Sequence, residues 1–266
     1  MSSTAPKPNL SRLTVGSGEA AREIAVAHLP APDPARPTLV WLGGYRSDMA
    51  GTKAVAIEAH AADAGLGCVR FDYSGHGRSG GAFRDGTISR WLEESLAVIE
   101  RCVSGPMILV GSSMGGWIAL RAIEDLRRRG QSARIAGLVL IAPAPDFTAE
   151  LIEPQLTERE RIALAEQGFF EEPTPYGPEP NVFTRALIED GRDNRVLTGT
   201  IVTGCPVHIL QGMADPDVPH ALALKLVEHL PADNVTLTLI RDGDHRLSRP
   251  ADLKRLRQAL DDMVAG

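Results

Sequence analysis

The sequence predicts an α/β fold with a mostly parallel central sheet flanked by helices, and three observations carry that prediction. Short apolar runs rich in β-branched residues alternate with longer segments of helical period, the order that builds βαβ units. The 266 residues, 43% of them hydrophobic, suffice for one core of this class. One long stretch, 145–203, breaks the alternation. The expectation is a single domain over 1–266 carrying a small lid or cap insert at 145–203, after the sixth strand.

Taken in order, two segments near Leu13 and Ala25 suggest an opening antiparallel hairpin. Strands are expected at 38–42, 68–71, 107–110, 135–141, 207–210 and 235–240. Helical spacing occupies 52–64, 87–103, 116–129, 219–229 and 251–264. The insert is rich in Pro and Glu, and a connection this long is usually functional. Its apolar residues Leu151, Ile152, Leu156, Phe169, Phe170 and Phe183 either line a substrate pocket or form the core of a small helical insert.

Composition excludes several classes. With 34 acidic against 28 basic residues the formal charge is -6, which offers no positive field to a phosphate backbone, so nucleic acid is not expected as a partner. Cys68, Cys102 and Cys205 lie far apart without a CxxC pair, against a structural zinc site or a disulfide framework. The opening MSSTAPKPNLSRLTV lacks the apolar core of a signal peptide, and no run is long enough to span a membrane. A cytoplasmic location without membrane insertion is expected.

Function is read from Gly111-Ser112-Ser113-Met114-Gly115, which follows the apolar run MILV and precedes the helical stretch WIALRAIEDL. G-x-S-x-G in a strand-turn-helix context is a nucleophile elbow. The turn crowds the positions two before and two after its centre, so both favour glycine. Ser113 has Gly111 and Gly115 there, whereas Ser112 has Val110 and Met114, so Ser113 is the expected nucleophile.

A serine hydroxyl needs a histidine base, itself oriented by a carboxylate. After the strand VHIL, the loop QGMADPDVP offers Asp215; after VTLTLI, the loop RDGDHRLSRP offers His245. The order nucleophile, acid, histidine fits this architecture. Asp217 suits a helix N-terminus instead, Asp244 reads as solvated, and Asp146 stays open as the acid of a variant layout. His28, His60, His208, His220 and His229 fall in strands or helices with no nearby nucleophile. His76, in a Gly-rich loop, is a candidate substrate contact. Oxyanion donors are expected from the backbone N–H groups of Met114 and of Tyr45, which follows the glycine pair after the strand at 38–42. No metal or organic cofactor is called for.

The blocks GGYRSDMAGTKA, VRFDYSGHGRSGG, ILVGSSMGGW, CPVHILQGMADPDVP and DGDHRLS resemble the α/β-hydrolase superfamily, and within it the palmitoyl-protein thioesterase and acyl-glucuronide esterase group. The resemblance spans roughly 39–263 and is weakest in the insert. It implies a nucleophile at Ser113, an acid at Asp215 and a base at His245, acting on S-palmitoyl thioesters and acyl-glucuronide esters. The partner is then a small ester or thioester, or an acylated protein. Small-ester or carbon–carbon bond hydrolysis on the same triad, and a non-catalytic receptor, are the alternatives. A glucuronide's carboxylate would call for a guanidinium from Arg46, Arg78, Arg84 or Arg185. Phe169 and Phe170 are the expected apolar contacts.

Overall fold

The computed structural model describes residues 7–175, 177–231 and 234–265. The first six residues, read above for a leader, lie outside them.

An eight-stranded sheet runs in the order β1-β2-β4-β3-β5-β6-β9-β10. The hairpin is β1 (Asn9–Val15) with β2 (Arg22–Leu29), and the parallel core is β3 (Thr38–Leu42), β4 (Gly67–Phe71), β5 (Met107–Ser112), β6 (Ile135–Ile141), β9 (Val207–Gly212) and β10 (Val235–Ile240). Only β2 runs against the rest, pairing antiparallel with both β1 and β4. The expected strand positions and the parallel class are therefore found, with β5 and β9 each extending two residues further than their apolar runs. Those added residues lead into the turn at Ser113 and the loop holding Asp215.

The strands read as continuous apolar runs because both faces are covered. Alternation sends Val40 and Leu42 of β3 to one cluster, with Trp91 and Trp117, and Leu39 and Trp41 to another, with Ile57 and Leu260. The first face is thus covered by α2 (Ile88–Cys102) and α3 (Met114–Arg128), the second by α1 (Thr52–Ala64) and α7 (Pro250–Ala265). α6 (His220–His229) packs at the β9 edge of the first face. Helix ends follow local chemistry: Thr87 caps α2 by accepting from the Arg90 N–H, and Gly65 at φ +65° closes α1. Among the described residues no helix is long and apolar enough to cross a membrane.

The insert is not wholly helical. A π-helical turn at Thr148–Ile152 leads to α4 (Glu158–Glu166), whose start carries a reciprocal Thr157–Glu160 capping box. Then come a two-stranded antiparallel ribbon, β7 (Phe169–Glu172) and β8 (Asn181–Thr184), and α5 (Arg185–Asp193). Leu187 and Ile188 of α5 join the main core. The fully buried Asp146 carboxylate accepts the Val196 and Leu197 N–H groups at 2.8 Å each, and the Trp117 indole donates to the Asn194 carbonyl at 2.9 Å. Asp146 is therefore committed to tying the insert down and is not available as a catalytic acid.

Candidate active site

Ser113 lies between β5 and α3 at φ 54° and ψ -122°. Such backbone is strained for a residue with a side chain and persists only where surroundings enforce it. They do so here. A Cβ on Gly111 would stand 2.5 Å from the Gly115 carbonyl oxygen, and one on Gly115 would stand 2.0 Å from that of Leu42. The turn closes only with glycine at both sites, the requirement that singled out Ser113 over Ser112. The Ser113 N–H donates to the Ile141 carbonyl at 2.9 Å, pinning the elbow to the neighbouring strand.

His245, in the loop after β10, approaches Ser113 Oγ with Nε2 at 3.1 Å and Asp215 Oδ2 with Nδ1 at 2.8 Å. Asp215 Oδ1 accepts the Asp217 and Val218 N–H groups at 2.9 and 2.8 Å. Buried Gln211, which the sequence did not single out, donates to Oδ2 at 3.3 Å and to the Val218 carbonyl at 3.1 Å. Burial alone would raise the Asp215 carboxyl; the His245 hydrogen bond and charge, with the two backbone donors, outweigh it and hold the group below its ordinary value. The carboxylate stays ionised and can fix the Nδ1–H tautomer of His245.

A model of the alpha/beta hydrolase family matches residues 39–256, which include all three side chains. The chain belongs to that family. The hydrolase is 31% identical over 229 residues to the human mitochondrial palmitoyl-protein thioesterase ABHD10, covering 86% of this chain and 73% of that protein. The crystal structure of a protein from Agrobacterium vitis S4 superposes with a TM-score of 0.96 at 63% identity, over 97% of this chain and all of the other. Alpha/beta hydrolase domain-containing protein 10 from mouse gives 0.82 at 29% identity, over 96% and 98% of the two chains.

Two clefts of the hydrolase meet at Ser113, sharing Tyr45, Thr174, Asn181 and His245. The smaller, about 370 Å³, is walled by Phe147, Leu151, Ile152, Leu156, Phe183 and Val218, with Glu160, Glu172 and Asp217 also on its lining. The larger, about 830 Å³, has Arg46, Lys53, Glu179, Asp244, Arg246 and Arg249 among its walls, beside Trp41, Ala54 and Pro178. Burial and then the Arg246 charge lower the Lys53 ammonium to about 8. Cationic side chains thus gather on one side of the serine, and large aliphatic and aromatic ones on the other.

Met114 opens α3, so its N–H has no acceptor within the helix. Gly44, before Tyr45, packs on the serine: a Cβ there would lie 3.3 Å from Ser113 Cβ. Tyr45 stacks on Phe183 at 5.5 Å, and its hydroxyl donates to the Val182 carbonyl, joining this loop to the insert.

Other expected contacts are placed differently. His76 is only 4% exposed and lines neither cleft; its ring packs among Tyr73, Phe83 and Trp91. Phe170 is buried against Phe183, and Phe169 lies under the Arg84 guanidinium at 3.8 Å, so the ribbon turns both away from the clefts. Phe147 and Phe183 stand where those two were expected. Of the four candidate arginines only Arg46 reaches a cleft; Arg84 pairs with Glu171 at 2.8 Å, and Arg78 and Arg185 are exposed. Lys53, Arg246 and Arg249 supply the other cations, from α1 and the His245 loop. Asp244 accepts the Leu247 N–H at 2.9 Å.

Proposed function

We propose that the protein is a serine-dependent hydrolase of thioesters or carboxylic esters, acting through an acyl-enzyme. The hydrogen-bonded series Ser113 Oγ, His245, Asp215 carries the reading. His245 Nε2 takes the hydroxyl proton as Ser113 Oγ attacks the carbonyl carbon, while Asp215 holds Nδ1–H and stabilises the imidazolium. The carbonyl oxygen becomes an oxyanion facing the Met114 and Tyr45 N–H groups. Collapse expels the thiolate or alkoxide, which takes the proton from His245, and water then repeats the sequence on the acyl-serine to release the acid. The steps use side chains and water alone, with no metal or organic cofactor.

The acyl group occupies the smaller cleft, against Phe147, Leu151, Ile152, Leu156 and Phe183, and the leaving group the larger one, where the cations gather. Residues 145–203 act as the lid that roofs the acyl side. Similarity to the human palmitoyl-protein thioesterase supports a long-chain acyl thioester as substrate, including an acylated protein, and Arg46 in the larger cleft supports a glucuronide leaving group. Three free cysteines suit a reducing compartment such as the cytoplasm.

Hydrolysis of acyl thioesters and p-nitrophenyl esters from two to sixteen carbons, followed as kcat/KM, tests this. Ser113→Ala is expected to lower kcat at least about 10⁴-fold; wild-type turnover in that variant would overturn the mechanism. Efficiency rising with chain length supports the long-chain substrate, and a peak at two to four carbons assigns the triad to small esters.

A further inference from the structure

We infer that His76 is a positioning residue for this reaction: its bare Nε2 holds the Arg46 N–H and thereby fixes the loop that aims the Tyr45 N–H at the Ser113 oxyanion. The inference rests on the serine-hydrolase reading above.

Two consecutive peptide units of this loop are pinned by side chains. The Gly44 carbonyl accepts the Ser47 hydroxyl at 2.8 Å and the Ser47 N–H at 3.2 Å. In a trans peptide the carbonyl and the following N–H point opposite ways, so that anchor turns the Tyr45 N–H away from Ser47. The next unit is held by His76, whose Nε2 accepts the Arg46 N–H at 3.2 Å. Arg46 itself sits at φ +55°, a region that a long side chain leaves unless held. Without His76 the Tyr45–Arg46 unit loses the acceptor that sets its plane. The Tyr45 N–H is then restrained through the Ser47 anchor without that second hold, and its aim loosens.

The imidazole is built for accepting. Nδ1 lies 3.1 Å from the Ser74 carbonyl, which accepts its N–H, so the proton sits on Nδ1 and Nε2 is left bare. Burial among Tyr73, Phe83 and Trp91 fixes the ring plane and excludes water that could replace it. Burial, opposed by the Ser74 hydrogen bond and aided by the Arg46 charge, lowers the ring to about 4, so it remains neutral and accepting near neutral pH. A histidine that merely filled space would need neither nitrogen partnered in this sense.

The test compares His76→Leu, which removes the acceptor, with His76→Gln, whose amide oxygen can reach the Nε2 position. p-Nitrophenyl butyrate is the substrate and an aryl trifluoromethyl ketone, which forms a tetrahedral adduct on the serine, is the transition-state probe. Removing one oxyanion donor outright costs about 10²–10³ in kcat, so a loosened one predicts roughly 10- to 100-fold in His76→Leu at unchanged KM. The inhibition constant of the ketone is expected to rise by the same factor, and His76→Gln to recover most of both. Unchanged kcat in His76→Leu, a loss confined to KM, or equal losses in the two variants would overturn the inference. Failure of the underlying reading appears separately, as activity retained in Ser113→Ala.

Discussion

At the floor of the site, backbone meets backbone: the Cβ that Gly115 lacks would stand 2.0 Å from the Leu42 carbonyl, and the Ser113 N–H is bonded to β6. At the roof, α4 buries none of its residues, and the insert touches the loop after β3 through side chains, Tyr45 on Phe183 and Arg46 on Glu179. Floor geometry is thus set by chain sterics that tolerate no alternative, and roof geometry by contacts that can be exchanged one at a time. The difference assigns separate tasks. On the proposed function, the fixed floor would carry the chemistry and the adjustable roof would select which acyl groups enter.

Asp215→Asn offers the largest effect and strikes the floor. The amide cannot favour the Nδ1–H tautomer of His245, and kcat is expected to fall about 10⁴-fold, as when a triad acid is neutralised elsewhere. Thermal unfolding should show the fold retained, because the amide oxygen can keep the Asp217 and Val218 N–H groups while Gln211 keeps the Val218 carbonyl. A fall under tenfold would remove Asp215 from the mechanism.

These differences also govern what the sequence discloses. Gly111 and Gly115 are legible because only glycine fits, so the identity of the residue states its environment. Asp215 and His245 are legible because each follows a strand of the parallel sheet, whose carboxyl ends share one edge of the fold. His76 is misread because a run such as SGHGRSG has the composition of a solvated loop. Its burial comes from long-range contacts: Gly75 and Gly80 close the loop on itself, and the Asp72 carboxylate takes the Met49 and Arg78 N–H groups. Phe169 and Phe170 are misread because their facing depends on the ribbon's register with β8, which no period in the sequence reveals. Lys53 has nothing in sequence to set it apart from its helix; only the approach of α1 to the His245 loop brings it to the cleft.

Acid separates the two regions next. His76 binds its proton near pH 4 in the folded chain and near 6.5 when unfolded, so the unfolded state holds more protons between those limits. Stability present above pH 6.5 is therefore lost as pH falls toward 4, by up to about 3 kcal/mol from this group. His28 and His208, both lowered by burial, act in the same sense. Urea unfolding at pH 7 and pH 4.5 measures the loss, and His76→Gln should flatten part of it. An identical slope in that variant would show that the floor owes nothing to a neutral His76.

The roof is probed by Leu156→Ala on the apolar wall. Shortening that side chain removes roughly 1–2 kcal/mol of acyl contact, so kcat/KM for an octanoyl thioester is expected to fall about tenfold while an acetyl ester is unaffected. Equal losses on both would mean that the acyl chain lies elsewhere.

The smallest effect sharpens the comparison most. Glu179 is 80% exposed on its side chain and pairs with Arg46 at 2.6 Å, the same Arg46 whose N–H His76 holds from below. An exposed ion pair contributes under about 1 kcal/mol and is screened by salt. Glu179→Gln should therefore change kcat for p-nitrophenyl butyrate less than about threefold, with the change shrinking further at high ionic strength. Arg46 thus tests the two regions within one residue, its backbone held by the floor and its side chain by the roof. If Glu179→Gln instead matched His76→Leu in kcat, the roof would be setting the oxyanion loop, and lid position would control the rate of acyl transfer as well as the choice of acyl group.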